Sequence, residues 1–454
     1  MKLVAAWFCL VGFVTVQTSL RELGVQTETP EKFSMRVVTA GLFDPWEILI
    51  GPDGRLWVTV RAAHTILRID PATGATTTLV TIADAHHSST QDGLLGLALH
   101  PGFMKNRGVD FAYVSFVYDT DPGPGVTRRM KLRRYTFDAA TASLGKGADL
   151  LSDLPSSIDH SGGRLAMSPD QKLILTLGDL GGNQGGHGLE CSPIRAQDLP
   201  TAEQVSAKDW TTYQGKILRI NLDGSIPADN PVLAGARSHV FSYGHRNPQG
   251  LAFGPRGDLY ASEHGPSTDD ELNLIDSGKN YGWPHVAGVR DDRGYVYANW
   301  SASTPTPCAS LISGNFDPFS APSSVPRQKE TDWSHPDFVA PLRTFFSVGP
   351  GYRFDQGNAA IAPSGIDVYS STAIPGWADS VLMTSLLRST IFRVKLDQAG
   401  KAAVGASLAY FQTENRYRDV AISPDGRTIY VSVDNYPPKE NPGSILAFSY
   451  QGPK

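Results

Sequence analysis

A short turn motif recurs along the chain and limits the folds that the chain can adopt. Each copy has a proline near an aspartate or glycine, which favours a tight turn, and several copies continue as an alternating apolar strand. Ser168–Thr176 and Ser423–Ser432 are two clear copies. The prolines of the complete set are Pro52, Pro101, Pro169, Pro255, Pro363 and Pro424. This recurrence predicts six repeat units separated by loops of unequal length.

A second strand motif follows several of these turns, as in Ile66–Asp70 and Ile217–Asn221. Paired short strands repeated six times predict an all-β fold, a six-bladed β-propeller with four-stranded antiparallel blades and long loops at one mouth. One blade cannot bury both faces of its sheet alone, so the blades must stack around an axis. A β-sandwich is the alternative, but it does not readily explain six copies with such long loops.

The composition limits which partners this chain is expected to bind. The chain has 40 lysines and arginines against 45 aspartates and glutamates, which gives a formal net charge of −5. A nucleic-acid-binding protein normally carries a basic excess, so we expect no nucleic-acid partner. The cysteines are Cys9, Cys191 and Cys308, without a C-x-x-C motif. A Cys191–Cys308 bridge and two buried free thiols are the two alternatives.

The N-terminus predicts an exported protein. Leu3–Val16 is a long apolar run preceded by Lys2 and followed by polar residues. This pattern is typical of a secretory signal peptide, here residues 1–20, with an uncleaved anchor as the alternative. No later segment is apolar enough to cross a bilayer. We therefore expect a periplasmic or secreted protein with a single propeller domain over residues 33–454.

Polar groups in long loops are the candidates for function, since propellers bind ligands on the loops at one mouth of the axial channel. Asp159 and His160 lie between small residues, which suits a general base, and a structural turn is the alternative. The glycine-rich segment Gly178–His187 allows backbone to approach a ligand closely. Arg416 and Arg418 alternate onto one strand face and suit a multiply anionic planar ligand, with a plain salt-bridged strand as the alternative.

An acidic loop, Ser262–Glu271, carries three consecutive carboxylates. Such carboxylates repel one another unless a cation compensates their charge. Clustered oxygen ligands in loops rich in glycine and proline suit Ca²⁺, although a solvated acidic loop is the alternative.

In this order, the segments resemble the soluble quinoprotein glucose dehydrogenases and the related aldose sugar (glucose/sorbosone) dehydrogenases. The resemblance runs from about Phe33 to Tyr450, and it is specific because several motifs occur jointly. These motifs are Gln91–Gly96, Leu154–His160, Gly244–Phe253, Asp269–Asn273, Asn280–Pro284 and Arg416–Val420. The family fold is a six-bladed propeller, which agrees with the repeat count.

The resemblance implies oxidation of an aldose at its anomeric carbon to the lactone, with pyrroloquinoline quinone (PQQ) and Ca²⁺ as cofactors. His160 matches the general base, and Asp159 would hold its imidazole and contact the sugar. Arg246 would stabilise the negative charge that forms on the quinone and would also contact the sugar. The matched cofactor contacts are Gln91, Arg246, Asn247, His264, Arg416 and Arg418, and Gln184 matches a sugar contact.

The resemblance also implies two calcium sites. Gly265 and Pro266 would offer backbone carbonyls to a catalytic ion. A structural ion would be held by the side chains of Asp270, Glu271, Asp291 and Glu330 and by the carbonyls of Tyr281, Ala287 and Val289. The implied partners are a small sugar and an external electron acceptor, and the family's frequent dimers make a homodimer an expected assembly.

Three positions depart from the family pattern. His264 stands where the glucose dehydrogenases have glutamine, and Leu387 stands where they have a lysine that pairs with a cofactor carboxylate. Arg388 is adjacent, but on an alternating strand it would point the other way. The aromatic wall that packs on the sugar is shortened to residues 356–360 without a ring, which predicts a more open site.

Two alternatives to a dehydrogenase remain at this point. The chain could be a non-catalytic, calcium-stabilised propeller binding module with weakened cofactor binding, which Leu387 favours. It could also be a calcium-dependent lactonase, although that chemistry needs carboxylates around one central ion. The joint presence of Asp159, His160, Arg246 and the Arg416/Arg418 pair favours the enzyme.

Overall fold

The computed structural model describes residues 25–27, 29–88, 91–183, 189, 191–311, 321–349, 359–435 and 440–454. These residues form mainly short β-strands. The strands of the first half are β1 (Glu31–Thr39), β2 (Pro45–Ile50), β3 (Leu56–Val60), β4 (Thr65–Ile69), β5 (Thr76–Thr81), β6 (Leu94–Leu99), β7 (Phe111–Asp119), β8 (Arg128–Asp138), β9 (Ser143–Leu144), β10 (Ala148–Pro155), β11 (Leu165–Met167), β12 (Leu173–Leu177), β13 (Lys216–Ile220), β14 (Val232–Leu233), β15 (Ala236–Arg237) and β16 (Val240–Tyr243).

The second half continues the same pattern of short strands. They are β17 (Pro248–Phe253), β18 (Leu259–Glu263), β19 (Asp270–Ile275), β20 (Tyr297–Ala298), β21 (Arg327–Gln328), β22 (Arg343–Phe345), β23 (Pro363–Tyr369), β24 (Ser380–Ser385), β25 (Ile391–Lys395), β26 (Leu408–Tyr410), β27 (Tyr417–Ile422), β28 (Thr428–Val433) and β29 (Ile445–Pro453). The helical segments are α1 (Ala202–Ala207), α2 (Cys308–Leu311) and the 3₁₀ turns Thr211–Tyr213, Trp300–Ala302 and Glu330–Asp332. No helix in this part of the chain is long and apolar enough to span a bilayer.

The strands assemble into six antiparallel blades, which confirms the predicted six-bladed propeller. In chain order the blades are β2–β5, β6–β10, β11–β13 with β16, β17–β19 with β22, β23–β26, and β27–β29 with β1. The first strand of each blade is innermost, and the inner strands β2, β6, β11, β17, β23 and β27 contact one another in a closed ring. Since every blade repeats the same strand order, the inner strands all begin at the same mouth of the ring.

The N-terminal strand closes the ring. β1 forms the outer edge of the last blade by pairing antiparallel with β29, with Glu31 opposite Pro453 and Thr39 opposite Ile445. The last blade is therefore built from both ends of the chain.

Apolar side chains fill the space between neighbouring blades. Among the described residues, one buried cluster lies at each of the six blade junctions. At the junction of the first two blades, Trp57 is fully buried and its ring lies edge-on to Phe103 and Phe137, at centroid distances of 5.2 and 5.3 Å. Each blade thus buries the face that it could not bury alone.

The two sequence motifs meet in space. In the first blade, Asp53 of the turn pairs with Arg68 of the third strand at 2.5 Å, and in the third blade Asp170 pairs with Arg219. Five of the six marker prolines lie between the first and second strands of their blades. Pro363 differs because it begins β23 itself, a position where a strand tolerates a residue without an N–H donor.

A long excursion between β19 and β22 lies beside one mouth of the ring. It carries β20, β21 and α2, with a small apolar cluster around Trp300 and Val325. A disulfide bond joins Cys308 of this excursion to Cys191, which lies between β12 and α1. The bridge resolves the alternative that the sequence left open. The predicted signal peptide, residues 1–20, lies outside the described residues.

Candidate active site

The predicted site residues converge because they lie at equivalent ends of the inner strands. His160 precedes β11, Arg246 and Asn247 precede β17, Arg416 immediately precedes β27, and Gln91 precedes β6. All inner strands begin at the same mouth, so residues far apart in the chain meet there. The Asp179 backbone N–H, at the end of β12, donates to the Arg246 carbonyl at 2.7 Å.

His160 is held in a special backbone conformation. Its φ is +48°, and its N–H donates to Gln91 Oε1 at 3.0 Å and to Asp159 Oδ1 at 2.9 Å. The chain at the end of β12 passes very close, since a Cβ on Gly178 would lie 2.0 Å from the His160 carbonyl oxygen. Glycine at that position therefore permits the approach that brings Asp179 to the imidazole.

The carboxylate that holds the imidazole is Asp179. His160 Nδ1 lies 2.7 Å from Asp179 Oδ1, whereas the nearest approach of Asp159 is 3.9 Å from Oδ1 to Nε2. The expectation that Asp159 holds the ring is thus corrected: Asp159 bonds the His160 backbone and lies at the other side of the ring. A bonded carboxylate fixes which ring nitrogen carries the proton, leaving Nε2 in the basic form.

The electrostatics favour a neutral imidazole. Burial and the positive charge of Arg246 lower the pKa of His160, although Asp179 opposes them. Burial alone raises the pKa of Asp179, but the His160 ring and Arg246 outweigh it and lower that pKa. The pair therefore consists of an ionised carboxylate and a neutral histidine near pH 7, which is the state that can accept a proton.

Arg246 and Asn247 are tied into the same network. Arg246 Nη1 donates to the His264 carbonyl at 3.2 Å, and its guanidinium carbon lies 5.3 Å from the centre of the Trp283 ring. Asn247 Nδ2 donates to Gln91 Oε1 at 3.0 Å. Gln91 thus bridges the backbone of His160 and the side chain of Asn247.

The two arginines of the last blade differ in accessibility. Both pair with Asp434, Arg418 at 2.6 Å and Arg416 at 3.3 Å. The Arg418 side chain is 2% exposed and also contacts Gln249, whereas Arg416 is 21% exposed and additionally bonds the Leu386 carbonyl. Arg416 is therefore the more accessible of the two, and Arg418 contacts Gln249 and Ser364 at the starts of neighbouring inner strands.

His264, Gly265 and Pro266 line a small cavity that also contacts Arg246, Trp283 and Ala287. His264 Nε2 lies 2.8 Å from the Pro363 carbonyl. Burial, followed by the charge of Arg246, lowers the pKa of His264 to about 3, so this ring is neutral.

The predicted structural calcium site stays a prediction. Among the residues that the structure describes, no group of three or more His, Cys, Asp or Glu side chains could hold a metal. Asp270 accepts N–H bonds from Gly265, Ile361 and Ala362, while Asp291 accepts one from Arg293.

Glu271 and Glu330 face a common loop that includes two of the predicted carbonyl ligands. Glu271 accepts from the Gly288 N–H and Glu330 from the Ala287 N–H, at 2.7 and 2.9 Å. Burial raises the pKa of Glu330 to about 8. A raised pKa marks negative charge that its surroundings do not compensate.

Of the departures from the family pattern besides His264, Leu387 lies next to Leu386, whose carbonyl accepts from Arg416. Leu387 follows β24, and its N–H donates to the Ile361 carbonyl at 3.2 Å. Arg388 Nε donates to the Ala360 carbonyl at 3.0 Å, and the side chain is buried. Gln184 and residues 356–358 of the shortened wall lie outside the described residues.

Two site residues received no role from the sequence. Asp179 lies in the glycine-rich segment noted for its glycines, and Trp283 lies in the Asn280–Pro284 motif. An acidic residue among glycines at the end of a strand was the one available indication of Asp179.

Fold and site together define a propeller protein whose mouth combines a buried imidazole–carboxylate pair with arginine side chains. The chain belongs to the Glucose / Sorbosone dehydrogenase family, whose model matches residues 42–344 and 348–445. It is 40% identical over 446 residues to quinoprotein glucose dehydrogenase B of Acinetobacter calcoaceticus, with 93% of this chain and 92% of that protein covered.

Two more distant matches are also named as sugar dehydrogenases. Aldose sugar dehydrogenase YliI of Escherichia coli strain K12 is 26% identical over 429 residues, covering 92% of this chain and 94% of that protein. The solved PQQ-bound form of aldose sugar dehydrogenase from Streptomyces coelicolor matches with a TM-score of 0.64 and 27% identity. That match covers 93% of this chain and 100% of the solved chain.

Proposed function

We propose that this protein oxidises an aldose at its anomeric carbon to the lactone, using PQQ and Ca²⁺. The observation that carries the proposal is the buried His160–Asp179 pair, 2.7 Å apart, whose pKa values are tuned by Arg246. A relative at 40% identity is named a quinoprotein glucose dehydrogenase. Sugar oxidation of this kind needs a neutral base for the hydroxyl proton, and His160 provides one.

The residues at the mouth fit an anionic planar cofactor. Arg246 and Arg416 offer guanidinium groups, which pair well with carboxylates and stack on flat rings. Asn247 and Gln91, joined by their hydrogen bond at 3.0 Å, offer amide groups beside them. When bound, PQQ would supply the carbon that accepts a hydride from the sugar.

The side chains of this protein would handle the proton and the charge. His160 Nε2 takes the proton of the anomeric hydroxyl as the hydride leaves the same carbon. Asp179 keeps Nδ1 protonated and stabilises the imidazolium that results. Arg246 holds positive charge where negative charge develops.

Calcium fits the donor chemistry at both predicted positions. Gly265 and Pro266 line the cavity next to Arg246, and their carbonyl oxygens are hard ligands of the kind that Ca²⁺ prefers. At the structural position, Glu271 and Glu330 flank one loop, and the charges of Asp269 and Asp291 act on Glu330. We therefore assign the catalytic role to the first position only.

The finer expectations from the sequence belong to the same proposal. The sugar would be bound with Asp159, Arg246 and Gln184, in a site opened by the loss of the aromatic wall. Electrons would leave to an external acceptor, and the protein would act in the periplasm or outside the cell, with a homodimer as its expected assembly.

The direct test is dye reduction by purified protein incubated with PQQ and Ca²⁺, using glucose and other aldoses, with lactone formation followed in parallel. We expect sugar-dependent reduction in the wild type, and none without PQQ. His100, at the opposite end of β6, gives a matched control, since its ring accepts the Gly102 N–H and lies edge-on to Phe111. His100→Gln should retain wild-type turnover.

The binding-module alternative makes the opposite prediction. It is favoured by Leu387, and Arg388 cannot easily replace the missing lysine because it is buried against the Ala360 carbonyl. No dye reduction with any sugar, together with no change in the quinone spectrum, would support the binding module. Leu387→Lys should tighten PQQ binding, and unchanged affinity would mean that another cation already fills this role.

A further inference from the structure

One tryptophan contacts both halves of the site. Trp283 is 4% exposed, its indole Nε1–H donates to Asp179 Oδ2 at 2.8 Å, and Arg246 lies over its ring. We propose that Trp283 is a positioning residue that aligns the carboxylate of the histidine base and the arginine with each other. This inference rests on the proposed function, and it assigns a role to a residue that takes no direct part in the chemistry.

The hydrogen bond fixes the orientation of the carboxylate. Asp179 Oδ1 is bonded to His160 Nδ1 at 2.7 Å, and Oδ2 is bonded to the indole at 2.8 Å. With both oxygens bonded, the carboxyl plane cannot rotate without breaking a bond in a buried environment, where lost bonds are costly. The direction of the imidazole is therefore set in part by Trp283.

The face of the Trp283 ring restrains the position of the Arg246 guanidinium. The Arg246 guanidinium carbon lies 5.3 Å from the Trp283 ring centroid, within the range of a cation–π contact. Tyr295 packs against the same indole at 5.5 Å. The N–H edge and the ring face of one rigid side chain thus set the relative placement of Asp179 and Arg246.

Trp283 is itself held by a neighbouring loop. Gln197 Nε2 donates to the Trp283 carbonyl at 2.7 Å and to Asn280 Oδ1 at 3.0 Å. Trp283 N–H donates to the Gly244 carbonyl at 2.9 Å, two residues before Arg246. The buried Lys216 ammonium in turn bonds the Ala196 carbonyl at 2.8 Å, next to Gln197. The indole is thus anchored from the loop between β12 and α1.

The simplest competing explanation is that Trp283 only fills the core. The chain offers a matched control, because Trp377 makes the same kinds of contact away from the site. Its Nε1–H donates to Glu31 Oε1 at 3.0 Å, and the Arg393 guanidinium lies 5.2 Å from its ring centroid. Trp377 is fully buried at the junction of the last two blades. A purely structural role predicts that the two tryptophans respond alike to substitution.

The test compares Trp283→Phe with Trp377→Phe, since phenylalanine keeps an aromatic ring at both buried positions, while the N–H donor and the second ring of the indole are lost alike in the two variants. In Trp283→Phe we expect kcat to fall about ten-fold with little change in KM, which is the pattern of a misaligned reacting group. Trp377→Phe should leave kcat at the wild-type value. The thermal midpoints of both variants, measured together, control for lost stability.

A second readout needs neither cofactor nor sugar. Histidine-labelled apo protein gives the His160 pKa by NMR titration. The charged groups that act on His160 are Asp179, Asp159 and Arg246. Loss of the indole donor leaves the Asp179 charge less stabilised, so it should raise the His160 pKa in Trp283→Phe, and not in Trp377→Phe.

Gln197→Leu provides a variant that leaves the indole in place. It removes the bond to the Trp283 carbonyl and should change kcat and the His160 pKa in the same direction, by a smaller amount. Wild-type kcat and an unchanged His160 pKa in Trp283→Phe, with a lowered melting point, would overturn the inference. If the wild type itself reduces no dye, the proposed function fails, while the NMR titration still decides the positioning role.

Discussion

His160 and His245 lie just before inner strands of neighbouring blades, and each is bonded through Nδ1 to a carboxylate. His160 is paired with Asp179 at 2.7 Å and His245 with Glu263 at 2.9 Å. The two rings differ in their other contacts. His245 Nε2 is bonded to Ser242 Oγ at 2.8 Å, whereas Asp159 lies 3.9 Å from His160 Nε2, beyond hydrogen-bond distance.

The two histidines also differ in ring packing and backbone conformation. His245 is fully buried, and its ring is stacked on Tyr281 at a centroid distance of 4.7 Å. His160 lies on backbone with positive φ, a conformation that costs energy and persists at functional sites. A buried histidine–carboxylate pair is therefore not by itself a catalytic pair, and the backbone conformation and the ring stacking separate the two histidines.

Substituting the two histidines is the most direct test of the difference between them. We expect His160→Gln to lower kcat by about 10³-fold while the protein stays folded, because a positioned general base contributes on that order. His245→Gln should instead lower the free energy of unfolding, by about 1–3 kcal/mol, since it disturbs a fully bonded buried group. The measurements are dye reduction and urea unfolding on both variants. Equal activity of the two variants would remove the distinction.

Substituting the two carboxylate partners, Asp179 and Glu263, tests the same difference. Asp179→Asn should lower kcat by about 10²-fold because it no longer fixes the reactive tautomer. Glu263→Gln should cost mainly stability, about 2 kcal/mol, as Glu263 also accepts the Arg246 N–H. Steady-state kinetics and thermal melts on the pair of variants check this, and a larger kcat loss in Glu263→Gln would reverse the assignment.

The pH dependence tests whether His160 is the group that titrates. Burial and Arg246 lower the pKa of His160 below 6.5, so activity should be retained at pH 6.5 and lost as the pH falls through that lowered pKa. Asp179 raises this pKa, so Asp179→Asn should move the acid limb of kcat to lower pH. A limb that stays in place in Asp179→Asn would point to another group.

The smallest expected effect comes from the second nitrogen of the structural pair. Ser242→Ala removes the partner of His245 Nε2 and should lower the free energy of unfolding by about 1 kcal/mol. Turnover should stay at the wild-type value. A loss of activity in this variant, with stability unchanged, would extend the catalytic network to His245.

The fold was predictable because it is repetitive. The turns marked by Pro52, Pro169, Pro255 and Pro424 join the first and second strands of their blades, so counting them counts blades. Pro363 shows the limit of that count, because proline is tolerated both in a turn and at the first position of a strand.

The site was only partly predictable because sequence neighbours are not spatial partners. Asp159 was expected to hold the imidazole since it is adjacent to His160, yet the close approach at Gly178 gives that bond to Asp179. Arg416 and Arg418 both reach Asp434, as expected of side chains on one face, but their difference in burial was not predictable from the strand pattern. Such approaches depend on how blades pack, which local patterns do not encode.

The pairing of β1 with β29 has a consequence for how the molecule is made. The last blade lacks its third strand until β29 has been synthesised. The ring can therefore close only after the other five blades have been synthesised. A truncation or fusion that removes the segment around Phe33 would break the pairing of β1 with β29. It would also loosen the loop that carries Arg416, although the removed residues lie far from those that contact substrate.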